Sequence, residues 1–155
     1  MTKIGIEDLK KSSKLWIEKK EQIFKTNMWL NGKQISKQKV YYISSDIIID
    51  NLFYSWFKFF EAKSEKKYRK IEKDILKNGW DDRYPGTIKF TMDGGVYFHN
   101  GSHRINMCVR IKEPIIVPVI FGYQYKPIKY WRELEENSKS TFPHGFLPKW
   151  DWGKK

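Results

Sequence analysis

The sequence predicts an α+β fold: a small mixed sheet with a central β-hairpin feeding a phosphate-binding helix, and further helices packed outside. Three observations predict it. Apolar residues recur at helical spacing among Lys and Glu over 6–27 and 64–78. Two short strand-like runs, 88–92 and 96–98, flank Asp93-Gly94-Gly95, a turn that needs the positive φ glycine supplies cheaply. A helical run, 103–111, is then followed at once by an apolar strand, 115–121, so helices and strands interleave.

Taken in order, Ile6, Leu9, Trp16, Ile17 and Phe24 give the first helix its apolar side, and Asn31-Gly32 ends that region as a turn. Val40 to Ile43 is β-branched and aromatic and reads as a strand, with Ser45-Asp46 as a break after it. Within 47–62, Leu52, Phe53, Trp56, Phe57 and Phe60 fit one helix face and read as core. Over 64–78, Ser64 is placed to cap, Tyr68, Ile71, Ile75 and Leu76 form the stripe, and Asn78-Gly79 is a left-handed stop. The loop Trp80 to Gly86 leads into the hairpin, and Asn100-Gly101-Ser102 turns its second strand into the next helix. The prolines of 115–121 predict an edge strand or a bend. Trp131 to Glu136 reads as a helical turn, and Thr141 to Trp152 as an aromatic strap without clear period.

The chain has 155 residues, enough for one domain with a real core. Hydrophobic residues make up 40% and aromatics 17%, which excludes a disordered basic tail. A single cysteine, Cys108, excludes an intramolecular disulfide framework and a Cys-based zinc cluster within one chain. The first fifteen residues mix both charge signs without an apolar h-region, and the longest strongly apolar run, Pro114 to Tyr125, is too short to cross a bilayer. The expectation is a cytoplasmic protein with no membrane partner. Lys and Arg outnumber Asp and Glu, 30 to 18, for a net charge of +12. That charge has two readings: attraction to polyanions such as nucleic acid, or a solvated lysine surface.

The chemistry concentrates in His99 to Arg104, His-Asn-Gly-Ser-His-Arg. A strand delivers the chain to a glycine and a helix begins directly after it. The unpaired amides of a helix start, with the helix dipole, make an anion site. Ser102 can cap the helix or donate to a phosphate oxygen. Arg104 can fork onto a phosphate, and His103 can donate to an oxyanion or act as acid or base. Candidate carboxylates are Asp46, Asp74, Asp81, Asp82 and Asp93. Asp81 and Asp82 are the pair placed to hold Mg²⁺ or take a proton, and the alternative is a turn cap beside Arg83 and Tyr84. Asp46 also reads as a helix cap and Asp93 as part of its turn. Trp80, Tyr84, Trp150 and Trp152, in loops, are candidate stacking residues.

This ordered set resembles the ParB/sulfiredoxin superfamily, which carries a Gly-x-x-Arg or Gly-x-His-Arg box after a β-hairpin at a helix start, here Gly101-Ser102-His103-Arg104. The helix ending at Gly79, the strand of Ile115 to Ile120 and the strand of Val40 to Ile43 match as well. The resemblance covers roughly 38–121, leaving 1–37 as an N-terminal helical addition and 122–155 as an aromatic extension. It implies a nucleotide-phosphate pocket made by Asn100, Gly101, Ser102, His103 and Arg104, with ATP or CTP and Mg²⁺ as cofactors. It further implies a phosphotransferase or nucleoside-triphosphate hydrolase, with His103, Asp81 and Asp82 catalytic and a small molecule or a protein as acceptor. The alternative is a nucleic-acid-binding module or nuclease using the basic surface. Two departures narrow this. Ser102 stands where sulfiredoxins carry their reactive cysteine, and serine cannot form a thiosulfinate. No helix-turn-helix pattern follows 121, so a ParB-type DNA clamp is not expected.

Overall fold

The computed structural model describes residues 2–24, 28–35, 39–52 and 62–124, with backbone alone at 24, 62–65 and 102. The first helix, α1, runs Ile6–Phe24, with non-helical φ/ψ at Lys19. Asn31 and Gly32, both left-handed at φ 51° and 76°, join two short strands, β1 (Trp29–Leu30) and β2 (Lys33–Gln34). The expected turn is therefore the tip of a hairpin. Next come β3 (Tyr41–Ser44) and α2 (Ser45–Asn51), so Ser45-Asp46 opens a helix where a break was expected. Leu52 ends α2 in extended backbone; the rest of the proposed 47–62 face lies outside the described residues. α3 spans Ala62–Asn78, which puts Ser64 inside the helix instead of at its cap. Its stop is as expected: Gly79 has φ +72°, and its amide donates to the Ile75 carbonyl at 2.9 Å. The hairpin strands β4 (Gly86–Thr91) and β5 (Val96–His99) lead to α4 (Ser102–Ile111) and β6 (Ile116–Gln124). The segments 131–136 and 141–152 lie outside the described residues.

The main sheet has the order β3-β6-β4-β5, with β6 parallel to β4 and the other pairs antiparallel. It is a small mixed sheet in an α+β fold, but the β4-β5 hairpin lies at one side and not at the centre as expected, because β6 inserts between β3 and β4. β6 is thus central, which removes the edge position from the two readings its prolines allowed. The register explains how Pro118 fits. Pro118 faces Tyr42. Tyr42 turns its N–H and C=O the other way, to the Thr2 carbonyl and the Ile4 amide. Tyr42 and Pro118 are therefore a non-hydrogen-bonded pair, and the proline nitrogen points to the β4 side. There the ladder begins only at Gly86 and Val119, one residue later, so no sheet bond is lost.

Alternation assigns the core face. The register aligns Tyr41 and Ile43, Val117, Val119 and Phe121, Ile88 and Phe90, and Val96 and Phe98 on one side. All are buried and form one cluster with Leu9 and Trp16 of α1, Ile48 of α2 and Ile105, Cys108 and Val109 of α4. α1 also grips the hairpin turn. The Ser13 hydroxyl donates to the Gly94 carbonyl and the Trp16 indole N–H to the Thr91 carbonyl. Among the described residues no helix is long and apolar enough to cross a membrane.

Candidate functional site

Phe98 is fully buried on the core face of β5, while Tyr97 and His99 point to the other face and stack on each other at 5.5 Å. The chain leaves β5 through Asn100, left-handed at φ 57°, and reaches Gly101, the N-cap of α4. The first intrahelical bond runs from the Ile105 amide to the Gly101 carbonyl at 2.8 Å. The amides of Ser102, His103 and Arg104 precede it and have no acceptor within the helix.

Gly101 is set by packing. A Cβ there would lie 2.7 Å from the Trp80 ring and 3.0 Å from Phe98. Its φ of −166° suits any residue, so the constraint is space alone. Trp80 is only 5% exposed, packs edge-on against Phe98 at 6.1 Å, and donates its indole N–H to the Tyr84 carbonyl at 2.9 Å. It is core and not the stacking platform expected of a loop tryptophan. Gly86 also makes room for Phe98, whose ring would sit 2.4 Å from a Cβ there. That both glycines are fixed by the space Phe98 needs has no signal in the local sequence. Of the other stacking candidates, Tyr84 is 60% exposed with Arg83 over its ring at 5.7 Å, and Trp150 and Trp152 lie outside the described residues.

Arg104, in the first turn of α4, pairs through Nη1 with Asp74 Oδ2 at 3.3 Å. Asp74 also accepts from Asn78 at 3.0 Å, and these two contacts, Asn78 before Arg104, lower its pKa. Asp81 accepts the Arg83 backbone N–H at 2.9 Å and meets the Arg83 guanidinium at 2.8 Å. The Arg83 side chain, then its amide, hold that carboxyl down at about 2, with a smaller pull from Arg104. Asp82 turns elsewhere and accepts the Tyr42 hydroxyl at 2.7 Å. Asp81 and Asp82 are neighbours in sequence, but their carboxylates serve different partners: Asp81 caps the turn at Arg83, and Asp82 binds Tyr42 outside that turn. Among the described residues no three His, Cys, Asp or Glu side chains gather closely enough to hold a metal ion. Neither Asp81 nor Asp82 can take a divalent cation without giving up one of these contacts.

His103 lies 6.0 Å from the Tyr68 ring. Burial, then the charge of Lys67, lower its pKa and so favour the neutral imidazole. Asn100 donates to Thr87 Oγ1 at 3.5 Å. Asp93 accepts from Thr91 Oγ1 at 2.6 Å inside its turn, as read. Asp46 sits in the first turn of α2, where Ser44 is the cap. Cys108 is 2% exposed and burial pushes its thiol up to about 12, so it is a core residue and not a nucleophile. The structure therefore brings Gly101, His103 and Arg104 together with Asp74 and Asp81 at one end of the hairpin. It leaves Asp82, Asp46 and Asp93 outside that group.

No protein-family model, no curated protein and no solved structure matches this chain.

Proposed function

We propose that the start of α4 is the phosphate subsite of a nucleotide-binding protein with a ParB/sulfiredoxin-like fold, working as a phosphotransferase or nucleoside-triphosphate hydrolase. One observation carries this: α4 opens at the end of the hairpin with three amides that have no intrahelical acceptor, and its first turn also carries Arg104, whose guanidinium is held by Asp74. Oriented amides and a fixed cation suit a polyphosphate. The order α3, β4, β5, α4, β6 also agrees with the resemblance read from the sequence.

In this reading the amides of 102–104 bind phosphate oxygens and Arg104 exchanges its single contact with Asp74 for a phosphate. Neutral His103 donates an N–H to the same group. Asp81, ionised at neutral pH, orients Arg83 and the loop. ATP and CTP share the triphosphate that this subsite recognises.

Thermal melting tests it, with ATP or CTP added, with and without Mg²⁺. A ligand at about 100 times its Kd stabilises the native state by about 2.7 kcal/mol. In a chain of this size that raises Tm by about 5–10 °C. The shift should appear with one nucleotide and vanish in Arg104→Ala. A shift that survives in Arg104→Ala removes Arg104 from the site, and no shift with either nucleotide overturns the reading. Release of inorganic phosphate then separates hydrolysis from transfer.

A further inference from the structure

α3 carries a charge pattern that the phosphate subsite does not use. Lys66, Lys70, Lys73 and Lys77 lie at i, i+4, i+7 and i+11. At 100° per residue they fall within an arc of about 60°, along about 16 Å of helix. All four are exposed. The opposite side of α3 is spent on packing: Tyr68 and Ile75 are buried against Met107 of α4, with Ile71 and Ile111 beside them.

The described carboxylates of α3 are spent too. Glu72 pairs with Arg110 of α4 at 3.4 Å, and Asp74 pairs with Arg104. Glu72 lies well round the helix from the lysines, whereas Asp74 borders them, four residues from Lys70 and three from Lys77, with its carboxylate held by Arg104 and Asn78. Among the described residues none of the four lysines has a carboxylate partner. In the usual solvated helix face, acids three or four residues away offset such lysines. Here Asp74 stands at that spacing from Lys70 and Lys77, but its carboxylate is taken by Arg104 and Asn78, and no acid stands three or four residues from Lys66 or Lys73 within the helix, so among the described residues the four lysines stay unpaired.

We propose that this lysine stripe of α3 binds the phosphate backbone of double-stranded nucleic acid without regard to sequence. Charge complementarity chooses a polyanion. Of the expected apolar stripe Leu76 alone is exposed, at 55%, with Tyr68, Ile71 and Ile75 packed towards α4, and one leucine is too little to bury in lipid, which argues against an anionic membrane. The stripe itself carries no aromatic side chain on which unpaired bases could stack, which argues for a duplex over a single strand. This surface is separate from the α4 start and stands or falls without it.

The test is fluorescence anisotropy of a labelled DNA duplex of about 20 base pairs across a salt series. Four phosphate contacts predict a slope of log K against log salt near −3.5, from about −0.9 per contact. Replacing all four stripe lysines with Gln should weaken binding at least tenfold at low salt and flatten the slope by about three. The control replaces Lys3, Lys11, Lys14 and Lys33, exposed and outside α3, with the same loss of charge. It should weaken binding far less and keep the slope. Equal losses from both sets would make the attraction a diffuse effect of net charge and overturn the proposal. Preference for single-stranded DNA, or for vesicles rich in anionic lipid, would overturn it as well. The substituted side chains are exposed, and melting of both variants near the parent Tm secures the comparison.

Discussion

Gly101 shows how a residue can look like a ligand contact and be held by its neighbours. With Trp80 2.7 Å from where a Cβ would stand, Gly101→Ala overpacks the junction, at about 1–3 kcal/mol. That is a fall in Tm of about 3–10 °C. Combining it with Trp80→Leu should give less than the sum of the two losses, because both act on one contact. A Gly101→Ala protein that melts with the parent would show that Trp80 does not press on this glycine. The histidines make a second prediction at this scale. Burial first, and nearby lysines second, lower the pKa of both His99 and His103. At pH 8 they are neutral folded or unfolded. As pH falls through about 6.5, the unfolded chain takes up protons that the native state resists, so stability drops. Melting at pH 8 and pH 5.5 should therefore show a loss in the parent that is smaller in His103→Gln. An equal loss in both would mean that His103 titrates alike in the two states. The carboxylates work in a different window: Asp81, held at about 2, loses its contribution only as pH falls below its ordinary 3.8.

At the scale of elements, the sequence was legible wherever the signal was local. Gly79 stops α3 and Gly94 turns the hairpin, both at positive φ, and both motifs say so in two or three residues. Replacing Gly79 with Ala keeps the helix but places a Cβ at φ +72°, with open space around it. The expected cost is therefore conformational alone, about 1 kcal/mol, read as a Tm lower by about 2–4 °C. A larger loss would point to a contact that the fold does not show. What the sequence hid was pairing at a distance. Prolines in 115–121 read as an edge because a proline lacks a donor, but only the register shows that Pro118 points its nitrogen past the start of β4. The site was legible to the same degree. The glycine, the helix start and Arg104 stand together as their order implied. The partners of Asp81 and Asp82 depend on Arg83 and on Tyr42, forty residues away, and adjacency in sequence could not separate them. Asp74 and Asn78 stand four apart on α3, the spacing of a helix-face pair, but their meeting with Arg104 needs the packing of α3 on α4.

For the whole molecule, the decisive fact is that α4 serves the core and the proposed subsite with opposite parts of itself. Its start carries the three amides and Arg104. Its inner side carries Ile105, Cys108 and Val109 into the cluster that joins α1, α2 and the sheet. Binding at the start therefore stabilises the arrangement that buries the thiol. Cys108 reports on this directly. With its pKa pushed up to about 12 by burial, it should be inert to a disulfide reagent at pH 8 in the native protein and react at once in denaturant. Native labelling then proceeds through opening of the fold. When opening and closing are fast, its rate follows the open population. A nucleotide that binds the native state at about 100 times its Kd should slow labelling about 100-fold, the same factor that raises Tm. Arg104→Ala should abolish the slowing without exposing the thiol. Prompt labelling of the native parent would mean that α4 is not seated as described. Slow labelling that nucleotide leaves unchanged, in a protein whose Tm it raises, would place the nucleotide on a part of the chain that stays bound while α4 opens.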